Sequence, residues 1–401
     1  MIESGTKAFW RATLALCLGS FMIFANLYVP QPLLPMLADE FAVTPLQASW
    51  SLTVTTLTLG LSLLLFGPLS DALGRTRLMV ISMCGAVLCC FALSQVTEFN
   101  TLILLRAIQG ICLAGLPAIA IAYMGDEFKK TAMLVAVGLY ISGNTLGGIG
   151  GRLIGGFMGD LLGWQSAFAA MSLISLICLC LFVWLLPESN HFKPQRLQPA
   201  KMLSDIGRHL RNPLLLLAYL FGGFNFFIFI NQYSYVTFLL ADEPYYLTAS
   251  VLGMLFLTYL SGTLGSAVSG RFAHWLPQPL VMAFGVLFIM LGSLLTLVPS
   301  IWAIIMGLFI NAFGFFVAHS TASSWVSHHA EGAKATASSI YLVFYYLGAS
   351  SGGFYLDPFW QMAGWYGVIY GSLLVLCATL LCALVLYHKT RRTLVAIDCA
   401  G

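Results

Sequence analysis

Twelve apolar runs of about twenty residues or more follow one another along the chain. About 20 residues of helix cross the hydrocarbon layer of a bilayer, at 1.5 Å per residue. The runs lie near 10–36, 47–70, 78–96, 101–124, 132–158, 164–186, 213–240, 248–270, 279–298, 301–325, 335–357 and 365–387. Glycine and proline inside them do not argue against helix, because lipid leaves an open backbone no other partners. Only 8% of the 401 residues are charged, where a soluble domain needs about 25% to keep its surface wet. The chain is therefore predicted to be an all-α membrane protein with about 12 transmembrane helices. Its first run, roughly Phe9 to Met36, is too long for a cleavable leader and reads as the first span.

The few charges then set the orientation. Lysine and arginine outside the runs fall on one side, among them Lys7, Arg11, Arg75, Arg77, Lys129, Lys130, Lys201, Arg208, Arg211, Arg271, Lys334 and Arg391. The opposite loops carry acids only: Asp39, Glu40, Glu98, Asp160, Asp242, Glu243 and Asp357. Positive charge is retained in the cytoplasm, so both termini are expected inside, in a bacterial inner (cytoplasmic) membrane. A net charge of +3 gives no reason to expect a nucleic-acid partner. Nine of the ten cysteines sit in apolar runs, where cysteine behaves as a small hydrophobe, and no metal-spaced pairing with histidine occurs.

The longest polar stretch, about Glu188 to Asn212, divides the runs six and six. The expected organisation is a six-helix bundle over 1–187, a cytoplasmic linker over 188–212, and a second bundle over 213–401. The halves also repeat at an offset of 201 residues. Leu139-Tyr140-Ile141 matches Ile340-Tyr341-Leu342, Leu146-Gly147 matches Leu347-Gly348, Gly151 matches Gly352, and Gly163-Trp164 matches Gly364-Trp365. Runs five and eleven are thus equivalent parts of a duplicated unit, the layout of alternating-access carriers with a midplane site.

Between runs two and three stands Gly67-Pro68-Leu69-Ser70-Asp71-Ala72-Leu73-Gly74-Arg75-Thr76-Arg77. Glycine permits a tight turn, Asp71 can accept bonds at a helix end, and two arginines hold the loop on the inner face. Here the chain resembles the major facilitator superfamily, whose G-x-L-x-D-x-x-G-R loop it matches. The resemblance implies the major facilitator fold, two pseudo-symmetric six-helix bundles. It also implies a cytoplasmic latch built from Gly67, Asp71, Gly74, Arg75, Arg77 and Asp126. Gly270 to Pro277 is a worn copy of the loop in the second half, with His274 where Asp71 stands.

Two cations lie inside runs. Arg106, Gln109 and Gly110 share a face of run four, and a lipid-embedded arginine costs about 3 kcal/mol, so it should face the bundle interior. Snorkelling toward the outer surface is the alternative. The R-x-x-x-G spacing also resembles a family segment linked to coupling. Arg152 stands in a glycine-rich segment of run five, Gly147 to Gly156. Glycines 147, 151, 155 and 156 match the motif of the drug:proton antiporter branch, but Arg152 replaces its proline. Arg152 either joins Arg106 at one cavity, snorkels, or pairs with Asp160.

No Asp or Glu falls well inside a run, and His319 is the only well-embedded histidine. With an ordinary pKa near 6.5 it suits a proton switch, or it is simply satisfied by neighbouring helices. Neutral polar groups complete the candidate cavity: Asn26, Gln31, Asn144, Asn225, Gln232, Asn311, Tyr341 and Tyr345. Helix–helix hydrogen bonding explains any one of them equally well.

Gly138-Leu139-Tyr140-Ile141-Ser142-Gly143-Asn144, Gly151-Arg152-Leu153-Ile154 and Ala318-His319-Ser320 are similar to segments of the YnfM-like branch, described as efflux permeases. The resemblance implies a monomeric secondary carrier without a cofactor, coupled to protons, that exports a small polar or amphipathic solute. That solute would be a sugar, an organic anion or a drug-like metabolite. An uptake symporter or a cationic multidrug antiporter is the alternative. No phosphate-binding G-x-x-x-x-G-K-[ST] occurs, as expected of a carrier driven by ion gradients. His328 and His329 have no obvious catalytic partners, so an enzyme is not expected.

Overall fold

Helix forms along every predicted run. The structure, a computed structural model, describes residues 1–398 apart from 188, 190 and 193–197. Within the described residues, eleven helical runs are long and apolar enough to cross a membrane. The last, Lys334–Arg391, has 58 residues, or about 87 Å of helix, nearly three bilayer cores. It is broken at Ala363 and Gly364, which leave helical geometry, with φ at −148° and +55°. The run therefore supplies spans eleven and twelve, and the total is the expected twelve.

Spans one to six begin with Lys7–Tyr28, Pro45–Leu73, Arg75–Leu93, Phe99–Leu113, Lys130–Leu162 and Trp164–Leu185. Spans seven to ten begin with Pro213–Ala241, Ala249–Leu255, Gln278–Leu295 and Ile301–His329. Thr44 opens span two with a reciprocal capping box to Gln47, and Pro45 occupies the first turn, where no N–H is missed.

Three expected spans are discontinuous. Span one stops at Tyr28, passes through a short 3-10 turn at Gln31–Leu33, and resumes as Leu34–Phe41. Pro30 and Pro32 lack the N–H groups that would continue the ladder. Span four continues past Ala114 as Gly115–Glu127. Span eight passes through a 3-10 turn at Phe256–Thr258 into Tyr259–Trp275. The polar stretch 188–212 holds a helix of its own, Pro199–Arg211.

The duplication is visible in packing. In span five, a Cβ on Gly147 would overlap the carbonyl oxygen of Phe21, and one on Gly151 that of Ala25. In span eleven, Gly348 meets the carbonyl of Gly223 and Gly352 that of Phe227 in the same way. Each ridge lets two helices approach until backbone meets backbone, which only glycine allows. At the turn into the next span, Gly163 has φ +86° and Gly364 φ +55°, so the matched Gly-Trp pairs also share a left-handed corner. The tryptophan after each corner, Trp164 or Trp365, is buried.

By contacts the chain divides into two compact units, Met1–Leu197 with Leu240–Phe256, and Gln198–Leu239 with Leu257–Gly401. This division departs from 1–187, 188–212 and 213–401 at two places: the polar stretch is shared between the units, and 240–256 joins the first. The first turns of span eight group with the first six spans because Gly156 accommodates the Ala249 carbonyl and Gly253 approaches that of Arg152. Asp160 completes the join by accepting the backbone N–H groups of Ala249 at 2.9 Å and Ser250 at 2.8 Å.

Candidate functional site

In the first unit the polar interior is organised around the break in span one. Pro30 cannot donate to the carbonyl of Asn26, and the end of the helix at Tyr28 frees that of Leu27. Arg106 meets both: Nη1 donates to Asn26 O at 3.0 Å and Nη2 to Leu27 O at 2.9 Å. Its Nε donates to Ser51 O of span two at 2.7 Å, and Nη1 also to Gln109 Oε1 at 2.5 Å. The guanidinium is wholly buried and, among the described residues, forms no ion pair. A cation against the carbonyl end of a helix also complements its dipole. Arg106 therefore does not snorkel.

Gln109 Nε2 continues this network to Asn26 Oδ1 at 3.2 Å, and Asn26 Nδ2 donates to Ser175 of span six at 2.7 Å. Thr55 Oγ1 donates to the carbonyl of Arg106 at 3.1 Å. Spans one, two, four and six are thereby joined by one buried polar chain.

Arg152 engages the same stretch of span one from the other side. Its guanidinium carbon lies 4.0 Å from the ring centroid of Tyr28 and 4.4 Å from that of Phe256, a double cation–π arrangement. Nε donates to Gln31 Oε1 at 2.8 Å and Nη1 to its own helix at Gly148 O, 2.7 Å. Asn144 lies one turn before Gly148 and accepts from Ser20 of span one. The arginines thus converge on residues 26–31, Arg106 on its carbonyls and Arg152 on Tyr28 and Gln31.

At the lysine-rich end of this unit, Arg75 binds Asp71 at 2.9 Å and also Asp126, and donates to Ser70 Oγ at 3.2 Å. Gly74, at φ +99°, makes the corner that allows it. Gly67 has open space around it, and Arg77 makes no ion pair among the described residues. Sequence reasoning missed the neighbouring Glu127. Its buried carboxylate accepts from Ser189 Oγ, His191 N and His191 Nδ1 at 2.8, 2.9 and 2.8 Å, holding the start of the polar stretch. A second acid beside Asp126 was the only signal for it. The His274 side chain lies outside the described residues.

The second unit carries a different interior, made of rings and amides. Tyr341 brings its hydroxyl to within 3.0 Å of His319 Nδ1. The His319 ring lies parallel to Phe315, centroids 5.8 Å apart, and 4.6 Å from the ring of Tyr345. Tyr345 is stacked on Phe226 of span seven at 3.7 Å. Gln232 and Asn311 meet Ser293 in a buried triad, with Asn311 Nδ2 donating to Gln232 Oε1 at 2.8 Å and to Ser293 Oγ at 3.1 Å. Asn225 is buried with neither end of its amide bonded among the described residues. It shares a helix face with Gln232 but not its triad.

Ten of the cavity candidates therefore fall into four sets: Asn26, Arg106 and Gln109; Gln31 and Arg152; Gln232 and Asn311; and His319, Tyr341 and Tyr345; Asn144 and Asn225 join none of them. Phe256 gave no sequence signal, being one aromatic residue in an apolar run.

Known proteins agree with this architecture. The model of the Major Facilitator Superfamily matches residues 16–353. The MFS-type transporter YybF of Bacillus subtilis (strain 168) is 38% identical over 368 residues, covering 92% of this chain and 91% of that protein. The inner membrane transport protein YnfM of Escherichia coli (strain K12) is 37% identical over 367 residues, 92% of this chain and 88% of that one. Among solved structures, an inward-facing bacterial homolog of the human lysosomal transporter Spinster superposes with a TM-score of 0.75 at 16% identity. That match covers 96% of both chains and shows likeness of fold. With the twelve spans and the matched Gly-Trp corners, these comparisons lead to one conclusion: the chain belongs to the Major Facilitator Superfamily, as a multi-pass membrane transporter.

Proposed function

We propose that the protein exports a small, uncharged polar or amphipathic solute across a bacterial inner membrane in exchange for protons, by alternating access. The observation that carries this reading is the setting of His319. Tyr341 holds its Nδ1 side, while Nε2 makes no hydrogen bond among the described residues and the ring is only partly buried. Imidazole titrates near neutral pH, so a ring anchored at one nitrogen and open at the other is fit to take up and release a proton. No carboxylate lies well inside a span to share that task, and arginine does not deprotonate.

The neutral solute follows from the cations. Arg106 directs its donors at carbonyl groups and Gln109, which leaves a solute anion little to bind there. The rings and amides of the second unit instead suit hydroxyl, carbonyl and aromatic groups. The positive-inside rule assigns the loops rich in lysine and arginine, the Arg75 latch among them, to the cytoplasm, and this reading takes both termini to lie there.

The test is flux in proteoliposomes with an imposed pH gradient, for panels of sugars, neutral aromatic metabolites, organic anions and cationic drugs. A neutral solute should be driven by the gradient. His319→Gln should abolish gradient-driven accumulation and keep solute counterflow. Accumulation at the wild-type level in His319→Gln overturns the proton role, and transport restricted to cationic drugs overturns the solute class.

A further inference from the structure

The helix Pro199–Arg211 between the two halves is amphipathic, and only one edge of it, at the buried His209, is used in packing. Leu203, Ile206 and Leu210 recur at i, i+3, i+7 and form one stripe, with Met202 at its edge. Lys201, Asp205 and Arg208 lie on the opposite face, and Arg211 on the flank between. Met202 and Ile206 are partly buried, yet Leu203 is 67% exposed and Leu210 37%, so protein covers the stripe only in part.

Two of the three cations are free for an outside partner. Arg208 pairs with Asp205 one turn earlier, while Lys201 and Arg211 form no ion pair among the described residues. The helix is also held at a defined height. Only Asn212 separates it from span seven, and the Asn212 side chain accepts the N–H groups of Leu214 at 3.0 Å and Leu215 at 3.3 Å. That bond caps the first turn of the span and fixes the corner. A helix joined so closely to the start of a span lies where headgroups begin, about 20 Å long, on the side where lysine and arginine collect.

We infer that Pro199–Arg211 is a docking site for anionic phospholipid of the cytoplasmic leaflet. Leu203 and Leu210 would enter the acyl boundary while Lys201, Arg208 and Arg211 meet headgroup phosphates. One apolar stripe or a few cations alone bind a membrane weakly, and the two together hold a helix at the interface. The net charge of these four ionised side chains, three cations and Asp205, is positive, which selects anionic over zwitterionic headgroups.

The experiment is amide hydrogen exchange on the full-length protein in nanodiscs of phosphatidylglycerol or of phosphatidylcholine. Exchange over residues 199–211 should be at least ten-fold slower in phosphatidylglycerol. The difference should disappear in the Lys201→Gln/Arg208→Gln/Arg211→Gln variant, with span seven exchanging as in the parent to show that the fold is intact. Leu203→Gln, which keeps every cation, should lose part of the protection. Equal protection in both lipids and in detergent would mean that the helix packs on protein, and overturns the inference. So does rapid exchange in every condition, or lipid-dependent protection that survives the triple substitution. Protection produced by inorganic phosphate in phosphatidylcholine nanodiscs would identify a soluble-anion site instead, and equally overturns it.

Discussion

Pro30 and Arg106 are complementary: the carbonyl of Asn26, which Pro30 has no N–H to meet, accepts a 3.0 Å hydrogen bond from Nη1 of Arg106. A break in one span and a cation in another, 76 positions later, form one structural element.

Removing the cation should therefore destabilise the protein itself. Arg106→Ala leaves the carbonyls of Asn26 and Leu27 buried and unmet, at about 1–3 kcal/mol for each unsatisfied group, whereas Ser51 O keeps its bond from Thr55 Oγ1. Arg106→Lys, with one ammonium for three directions, should recover only part of that. Adding Pro30→Ala, which restores the missing donor, should return part of the lost stability. Thermal unfolding of the four proteins in detergent checks this, and no recovery in the double variant would separate the two residues.

The paired ridges predict matched sensitivity to one methyl group. Gly151→Ala and Gly352→Ala each force a Cβ onto a neighbouring carbonyl and should each cost about 1–3 kcal/mol. Gly138→Ala has open space and should be neutral or stabilise by about 0.5–1 kcal/mol. Unfolding midpoints of the three variants decide it.

Asp160 holds the start of span eight through two backbone N–H groups. Asp160→Ala should cost about 1–2 kcal/mol, the range for a lost helix cap, and Asp160→Asn less, because one acceptor oxygen remains. Hydrogen exchange at Ala249 and Ser250 should accelerate in that order. Unchanged exchange in Asp160→Ala would show that these amides have another partner.

Asn225 gives a prediction of opposite sign. A buried amide without partners carries the full penalty of desolvation, so Asn225→Leu, similar in volume, should raise stability by about 1–2 kcal/mol. A fall in the midpoint would show that the amide is bonded in solution.

Local composition made much of this legible. Apolar length located twelve spans, and an offset of 201 residues matched Gly151 to Gly352 and Gly163 to Gly364 before any packing was visible. Those positions are readable because glycine at a close approach or a left-handed corner has no substitute. The break at Pro30 was harder to read, since proline is tolerated in membrane helices and gives no sign of whether its freed carbonyl finds a neighbour. Phe256 over Arg152 was not legible at all. A cation–π contact between residues 104 positions apart has no periodicity, and any aromatic residue of an apolar run looks the same. The grouping of 240–256 with the first unit depends on Asp160 finding two backbone amides, which side-chain patterns do not record.

The order of residues around Arg106 bears on how the protein is made. All of its carbonyl acceptors, in Asn26, Leu27 and Ser51, precede it in the chain. When the ribosome delivers span four, the carbonyls that accept its hydrogen bonds have already been synthesised, so the arginine can leave the translocon into a waiting socket. Arg152 is placed differently: Tyr28 and Gln31 are ready for it, but Phe256 emerges 104 residues later. Biogenesis can finish the first socket early, whereas the second stays open on one side until the other half of the chain arrives.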